Sequence, residues 1–283
     1  MEKAIKKYGV VFALPTFIAF AIGFIWPFIQ GLYLSFCQFI TIDRATFTGL
    51  DNYVQIFQDP EFVAAFWFTV KFAVVSVVSI NVIAFALALF LTKGLKGTNI
   101  FRTVFFLPNL IGGIVLGYIW QILINCVLSL VEAPLLALNT EAGYWGLIIL
   151  MCWQQIGYMM IIYIAGIQNI PEDVIEAARV DGANAWQTLI KVKLPMVMSS
   201  ITVCVFLTLT NSFKLFDQNL ALTAGKPYHE TEMLALNIYQ TFYGRAGAQW
   251  KGFGQAKAVV FCILVITISM FQLNATRKRE VQS

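Results

Sequence analysis

An all-α polytopic membrane protein, with six transmembrane helices and both termini on the cytoplasmic side, is the fold class that the sequence predicts. Three observations carry that expectation. Charged residues make up 12% of the 283-residue chain against 59% hydrophobic residues, whereas a soluble domain carries about 25% charge; the mean hydropathy is +0.75. Six stretches of at least 19 residues lack Asp, Glu, Lys and Arg, namely 8–42, 72–92, 103–131, 142–171, 194–213 and 258–276, and no other run exceeds twelve. A helix needs roughly 20 residues to cross about 30 Å of hydrocarbon, and an ion at its centre costs about 2.5–3.5 kcal/mol. Lys and Arg are also unevenly shared. With an even number of spans both ends lie on one side, and that side holds Lys3, Lys6, Lys7, Lys93, Lys96, Arg102, Arg179, Lys191, Lys193, Arg277, Lys278 and Arg279, twelve cations against the five of the other side, Arg44, Lys226, Arg245, Lys251 and Lys257. The positive-inside rule makes the richer side cytoplasmic. The net charge of +4 then reflects topology and anionic lipid, and needs no nucleic acid.

Taken in order, a basic tail (1–9) leads into a first span near 10–36. Pro15 and Pro27 should kink that span, a break that a neighbouring helix can absorb. No small-x-small site follows a short apolar core, so a cleaved signal peptide is not expected. The outer segment 37–61 holds a polar turn, Phe47–Tyr53, before an amphipathic piece, Tyr53–Phe57, expected to lie in the interface. Span two (66–92) ends at the basic loop Lys93–Arg102. Span three (103–125) carries Pro108 in its first turns, then Gly112, Gly113 and Gly117, which permit close helix approach. Span four (144–167), a cytoplasmic loop (168–195), span five (196–214), a polar outer segment (215–254) with an apolar-periodic piece Met233–Tyr243, and span six (256–276) complete a single transmembrane domain over 1–283. Lys71 and Lys214 are expected at outer span ends, where a long stem can snorkel to water; a buried functional cation is the alternative.

The loop 168–195 is the most informative stretch. Pro171 suits a first helical turn, and Glu172 and Asp173 follow where the helix dipole favours anions. Ala177 and Ala178 leave a flat surface for close docking. Gly182 can take a positive φ and stop the helix. A second amphipathic helix, about 183–191, then leads to Leu194-Pro195. The result is a short helix-turn-helix lying under the membrane.

Other chemistries lack their residues. The five cysteines (37, 126, 152, 204 and 262) have no CxxC or metal-ligand spacing and His229 is the single histidine, so no metal site is expected. No GxxxxGK[ST] occurs, so this chain has no usual phosphate-cradling loop. No catalytic residues are expected. Mid-span polar and aromatic residues are candidates to line a path: Asn109, Trp120, Gln121, Trp153, Gln155, Tyr158 and Asn211, with Gln154, Thr208, Thr210 and Ser212 beside them. Amides, hydroxyls and aromatic faces suit a sugar. The alternative for each is interhelical glue, worth about 0.6 kcal/mol per hydrogen bond.

Glu176-Ala177-Ala178, Gly182 after three residues, and Val192-x-Leu194-Pro195 after nine more resemble the EAA loop of ABC importer permeases, with Val192 where the family usually has Ile. Gly49-Leu50-Asp51-Asn52-Tyr53, Phe101-Arg102-Thr103-x-x-Phe106-Leu107-Pro108 with Trp120, and Phe213-Lys214-x-Phe216-Asp217 with Leu222-Thr223-x-Gly225-x-Pro227 resemble further segments of the carbohydrate-uptake members. Lys226 stands where that family commonly has Gly. The resemblance covers nearly the whole chain and is closest to the subunit type that pairs with a second permease, as in maltose, lactose, raffinose or glycerol-3-phosphate importers.

That resemblance implies a type I ABC importer permease fold in a prokaryotic inner membrane. It makes 168–195 the coupling helix, seated on an ATP-binding subunit through Glu176, Ala177, Ala178, Asp181, Gly182, Leu194 and Pro195, with Glu176 pairing a basic residue there. It implies a second homologous permease, two ATP-binding subunits that hold ATP and Mg, and an extracellular sugar-binding protein at outer loops 43–61 and 217–254. Transport would be by alternating access, with no cofactor in this chain. A neutral mono- or oligosaccharide is favoured over glycerol-3-phosphate because the spans hold no arginine to clamp phosphate. Two rivals want residues that are missing: a secondary carrier, intramembrane Asp, Glu or His; a membrane-embedded enzyme, clusters of His, Asp or Cys near the interface.

Overall fold

The computed structural model describes residues 13–94 and 96–277. The basic tail and the cations at 3, 6, 7, 278 and 279 lie outside them. Among the described residues, five helices are long and apolar enough to cross a membrane. They are α1 (Ala13–Leu34), α3 (Pro60–Leu91), α5 (Gly113–Leu130), α6 (Thr140–Gln168) and α12 (Ala248–Arg277). The pair α8 (Ala185–Met196) and α9 (Met198–Phe213), bent by 71°, supplies the sixth when read as one broken span. Shorter helices complete the chain: α2 (Asp51–Gln58), α4 (Thr98–Phe106), α7 (Glu172–Val180), α10 (Asp217–Leu222) and α11 (Leu234–Tyr239). The only strands among the described residues are β1 (Cys37–Gln38) and β2 (Thr46–Phe47), an antiparallel pair.

Proline positions decide the irregular turns. In α1 the backbone widens to a π turn over Ala21–Ile25, closed by the Trp26 N–H on the Ala21 carbonyl. Pro27 has no N–H and its ring crowds the carbonyl four residues back, and the wider turn gives it room. The third span differs from expectation. The stretch 103–125 is not one helix: α4 stops at Phe106, a tight turn covers Leu107–Leu110, Ile111 is extended, and α5 starts only at Gly113. Pro108 followed by Gly112-Gly113 breaks the helix, so an apolar run with no charge still contains a bend.

Contacts group the chain into two compact units, where the sequence pattern suggested one domain over 1–283. The first comprises the described part of Met1–Pro60 with Ile238–Cys262. Here the Asn52 side-chain amide donates to the carbonyls of Ser35 (2.9 Å) and Cys37 (3.0 Å), tying α2 to the end of α1. A Cβ on Gly252 would collide with the Cys37 carbonyl, so glycine lets α12 pass that backbone. Lys257, expected among the outer cations, is fully buried, with Nζ 2.7 Å from Asp59 Oδ2 and 2.9 Å from Thr241 Oγ1.

The second unit comprises Glu61–Asn237 with the described part of Ile263–Ser283. Phe72, Ile80, Ala84 and Ala88 of α3 and Leu147, Leu150, Met151 and Met160 of α6 form its buried core. Small residues set the approach distances. A Cβ on Gly157 would fall on the Phe105 carbonyl, and one on Gly117 would meet Ala221 Cβ at 2.6 Å.

Candidate coupling elbow and translocation path

The elbow is built from local signals. Helix α7 begins directly after Pro171, which holds an extended ψ of 134° and so sits just outside the first turn. Its end is a Schellman arrangement around Gly182 (φ +79°): the Gly182 N–H donates to the Arg179 carbonyl and the Ala183 N–H to the Ala178 carbonyl, both at 3.0 Å. Nothing lies within 4 Å of where a Gly182 side chain would start, so the torsion rather than space demands glycine. Asn184 and Gln187 then form a reciprocal capping box, each side-chain oxygen accepting the other's backbone N–H at 2.8 Å. That Asn-x-x-Gln spacing was readable in the sequence. Helix α8 continues through a π turn, Leu189–Lys193, to Met196, well past the expected 191. Glu172, Asp173, Glu176, Ala177, Asp181 and Gly182 are exposed, whereas Ala178 is buried within the chain. Only Ala177 of the alanine pair therefore offers a flat outer surface. Leu194 and Pro195 lie half-buried, just before the buried Val197 at which α8 meets α9.

The mid-span candidates separate into two groups. One converges where α5, α6, α9 and α10 adjoin. The Trp120 and Trp153 rings meet edge-on at 5.7 Å. The Gln121 amide donates to the Leu222 carbonyl at 2.9 Å, and the Asn211 amide reaches Gln155 Oε1 at 3.4 Å. Gln154 accepts from the Gln218 amide at 2.7 Å and donates to the Ile111 carbonyl at 3.3 Å, at the break before α5. Tyr158 packs against Phe106, 6.4 Å between ring centroids, on the helix that leads into the turn carrying half-buried Asn109. The second group is glue. Thr208, Thr210 and Ser212 donate to carbonyls of their own helix. Thr208 also accepts from Asn81, whose Oδ1 takes the Tyr163 hydroxyl at 2.6 Å. Asn81 and Tyr163, which join α3, α6 and α9, were not among the candidates; the signal was Asn81, the one amide side chain in the charge-free run 72–92.

The segment after α9, polar in composition, is largely enclosed: Leu215, Asn219, Ala221, Leu222, Thr223, Thr231, Glu232 and Met233 are all buried. Helix α10 lies along α5, and a Cβ on Gly113 would press on Asp217 at 2.8 Å. Asn219 organises the turn, donating to Thr223 Oγ1 (3.0 Å) and the Thr231 carbonyl (2.8 Å) and accepting the Met233 N–H (3.0 Å). Buried backbone needs such partners. Lys214 follows a helix whose last turn touches Met151, where Ser212 lies 3.9 Å from its sulfur. It is exposed and caps the C-terminal end of α9, beside the middle of α6. Lys71 is exposed on α3, its Nζ 4.6 Å over the Tyr144 ring. The positive-φ positions of the turn fall on Ala224, Gly225, Tyr228 and His229, so Lys226 requires no glycine torsion. Glu232 pairs with His229; burial pushes its carboxyl above the ordinary 4.5, and the His229 contact offsets part of that rise.

Comparison with known proteins follows the same outline. A model of the family described as binding-protein-dependent transport system inner membrane component matches residues 9–279. The chain is 44% identical over 279 residues to the probable starch degradation products transport system permease protein AmyD of Thermoanaerobacterium thermosulfurigenes, spanning 96% of this chain and 94% of that one. It is 29% identical over 291 residues to the multiple sugar-binding transport system permease protein MsmF of Streptococcus mutans, spanning 99% of each. Among solved structures, a chain of a bacterial ABC transporter involved in the import of the acidic polysaccharide alginate matches with a TM-score of 0.82 at 22% identity, over 98% of both chains; at that identity the likeness concerns the fold.

Proposed function

Because the chain belongs to the family of binding-protein-dependent transport system inner membrane components, and is thus a multi-pass permease subunit of an ABC importer and no enzyme, we propose that it forms half of a path for a neutral oligosaccharide. Both curated relatives described above are named for sugar or starch-product transport, and the Trp120–Trp153 pair with Gln121, Gln155 and Asn211 offers the aromatic face and amides that a sugar takes up. A second, homologous permease supplies the other half. Two ATP-binding subunits dock at 168–195 and carry the ATP and Mg. A binding protein delivers cargo on the opposite side, at 43–61 and 217–254.

One observation carries this reading: the exposed acidic face of α7 around Glu176 belongs to an elbow whose second helix, α8, runs through the single residue Val197 into α9. ATP-driven closure of the docked subunits pulls on the elbow and tilts α9, whose Asn211 belongs to the polar group. Co-purification tests it. The wild-type chain should bring down an ATPase and a related permease. Glu176→Lys should weaken ATPase capture while keeping the second permease, by setting like charge against the basic residue expected in the ATPase. Undiminished ATPase capture by that variant would sink the proposal.

A further inference from the structure

A cleft of about 560 Å³ opens between the end of α3 and the elbow. Leu89, Ile175 and Leu189 give it an apolar wall, and Lys93, Arg179 and Lys193 bring three cations to it from three separate elements. None of the ten residues that line it is acidic. The acids of α7, Glu172, Asp173 and Glu176, are exposed and do not line it, but Glu176 stands one helical turn from Arg179, so Lys93 and Lys193 carry most of the charge of the cleft. The height of the cleft follows from the span beneath it: α3 ends at Leu91, so Lys93 and Lys193 stand where hydrocarbon gives way to headgroups. Trp186 adds an indole to the lining.

We infer that this cleft binds the phosphate headgroup of an anionic phospholipid drawn from the adjoining leaflet. The inference rests on the cytoplasmic placement of the elbow. A soluble phosphate would be served by the cations alone, whereas the apolar wall and Trp186 suit a molecule whose acyl chains continue into the bilayer. The arrangement converges phosphate donors from the end of α3 and from both helices of the elbow. One bound headgroup would therefore tie the elbow to the membrane surface and make its freedom to move depend on lipid charge.

The test uses the complete transporter, assembled with its partner subunits in nanodiscs of phosphatidylcholine with increasing phosphatidylglycerol, and reads the retained lipid by native mass spectrometry. The wild type should retain phosphatidylglycerol over phosphatidylcholine. Lys93→Gln with Lys193→Gln should lower that retention about thirtyfold, as expected for two interfacial cations. Lys96→Gln with Lys191→Gln removes the same charge from the same side outside the cleft and should change retention less than about twofold. Lys93→Arg with Lys193→Arg should restore it. Equal losses from the two Gln pairs would reduce the effect to diffuse surface charge and overturn the proposal. So would displacement of the lipid by millimolar glycerol-1-phosphate, which would reveal a soluble-phosphate site, or a loss that the Arg pair shares, which would reveal a packing role. Labelling of Val180→Cys, at a position 86% exposed in the chain alone, before the ATP-binding subunits are added tests the placement: labelling from the outside overturns the proposal, and labelling only from the cytoplasm supports it.

Discussion

Gly182 and Asn219 each hold a connection between spans, the first by a backbone torsion and the second by its side chain. The elbow at 168–197 is fixed within itself. A Schellman turn and a capping box close two short helices using residues no more than five positions apart, and most of its polar groups face outward. The segment 215–237 is fixed largely from elsewhere, by burial along α5 and α6 and by the Gln121–Leu222 and Gln218–Gln154 bonds, while Asn219 ties its turn together across up to fourteen residues. Self-closing structure can move as a body without losing its shape; structure closed by its surroundings keeps its shape only while those surroundings stay put. A transporter has use for both, one to be moved and one to seal.

Asn219→Ala should strike hardest, because it strands a buried carbonyl and N–H, at about 1–3 kcal/mol each. A drop of about 3 kcal/mol in unfolding free energy, with poor recovery from the membrane, is expected in detergent unfolding. Gly182→Val comes next, since a β-branched residue at φ +79° costs about 1–3 kcal/mol locally. Insertion should stay normal while uptake falls and ATP hydrolysis loses its dependence on the binding protein; wild-type uptake would speak against the assignment of the elbow. Asn184→Ala should cost about 1 kcal/mol and leave uptake within about twofold. Were it as damaging as Asn219→Ala in the same unfolding assay, the contrast between the two connections would fail. Glu232 sharpens the contrast most gently. Its folded carboxyl titrates above the ordinary 4.5, so the folded protein binds the proton more tightly than the unfolded chain does. The stabilisation is complete below 4.5 and is lost as pH rises through the raised value. Melting temperature should therefore fall with rising pH across that window in the wild type and much less in Glu232→Gln.

The same contrast explains what could be read in advance. Runs without charge expose spans because lipid punishes ions one residue at a time, and Gly182 announces a turn because few residues tolerate its torsion. The Asn184-Gln187 box was equally local and readable. The break between α4 and α5 was harder, since Pro108 and Gly112-Gly113 also occur in unbroken membrane helices. Asn219 and Asn81 were invisible for a different reason: nothing near either in sequence says which distant carbonyl or hydroxyl it will meet. Asn109, Trp120 and Tyr158 could be nominated for a path by type, but only packing shows that Thr208, Thr210 and Ser212 spend their hydrogen bonds on their own helix.

The 71° corner at Val197 has a mechanical corollary. With a single residue between α8 and α9 there is no slack, and Val197 is fully enclosed, so the joint behaves as a crank rather than a tether. The 16 residues of α9 make an arm of roughly 24 Å at 1.5 Å per residue. A rotation of about 10° at the corner would sweep the far end, just beyond Asn211, through about 4 Å on that geometry, comparable to the width of one sugar ring's edge.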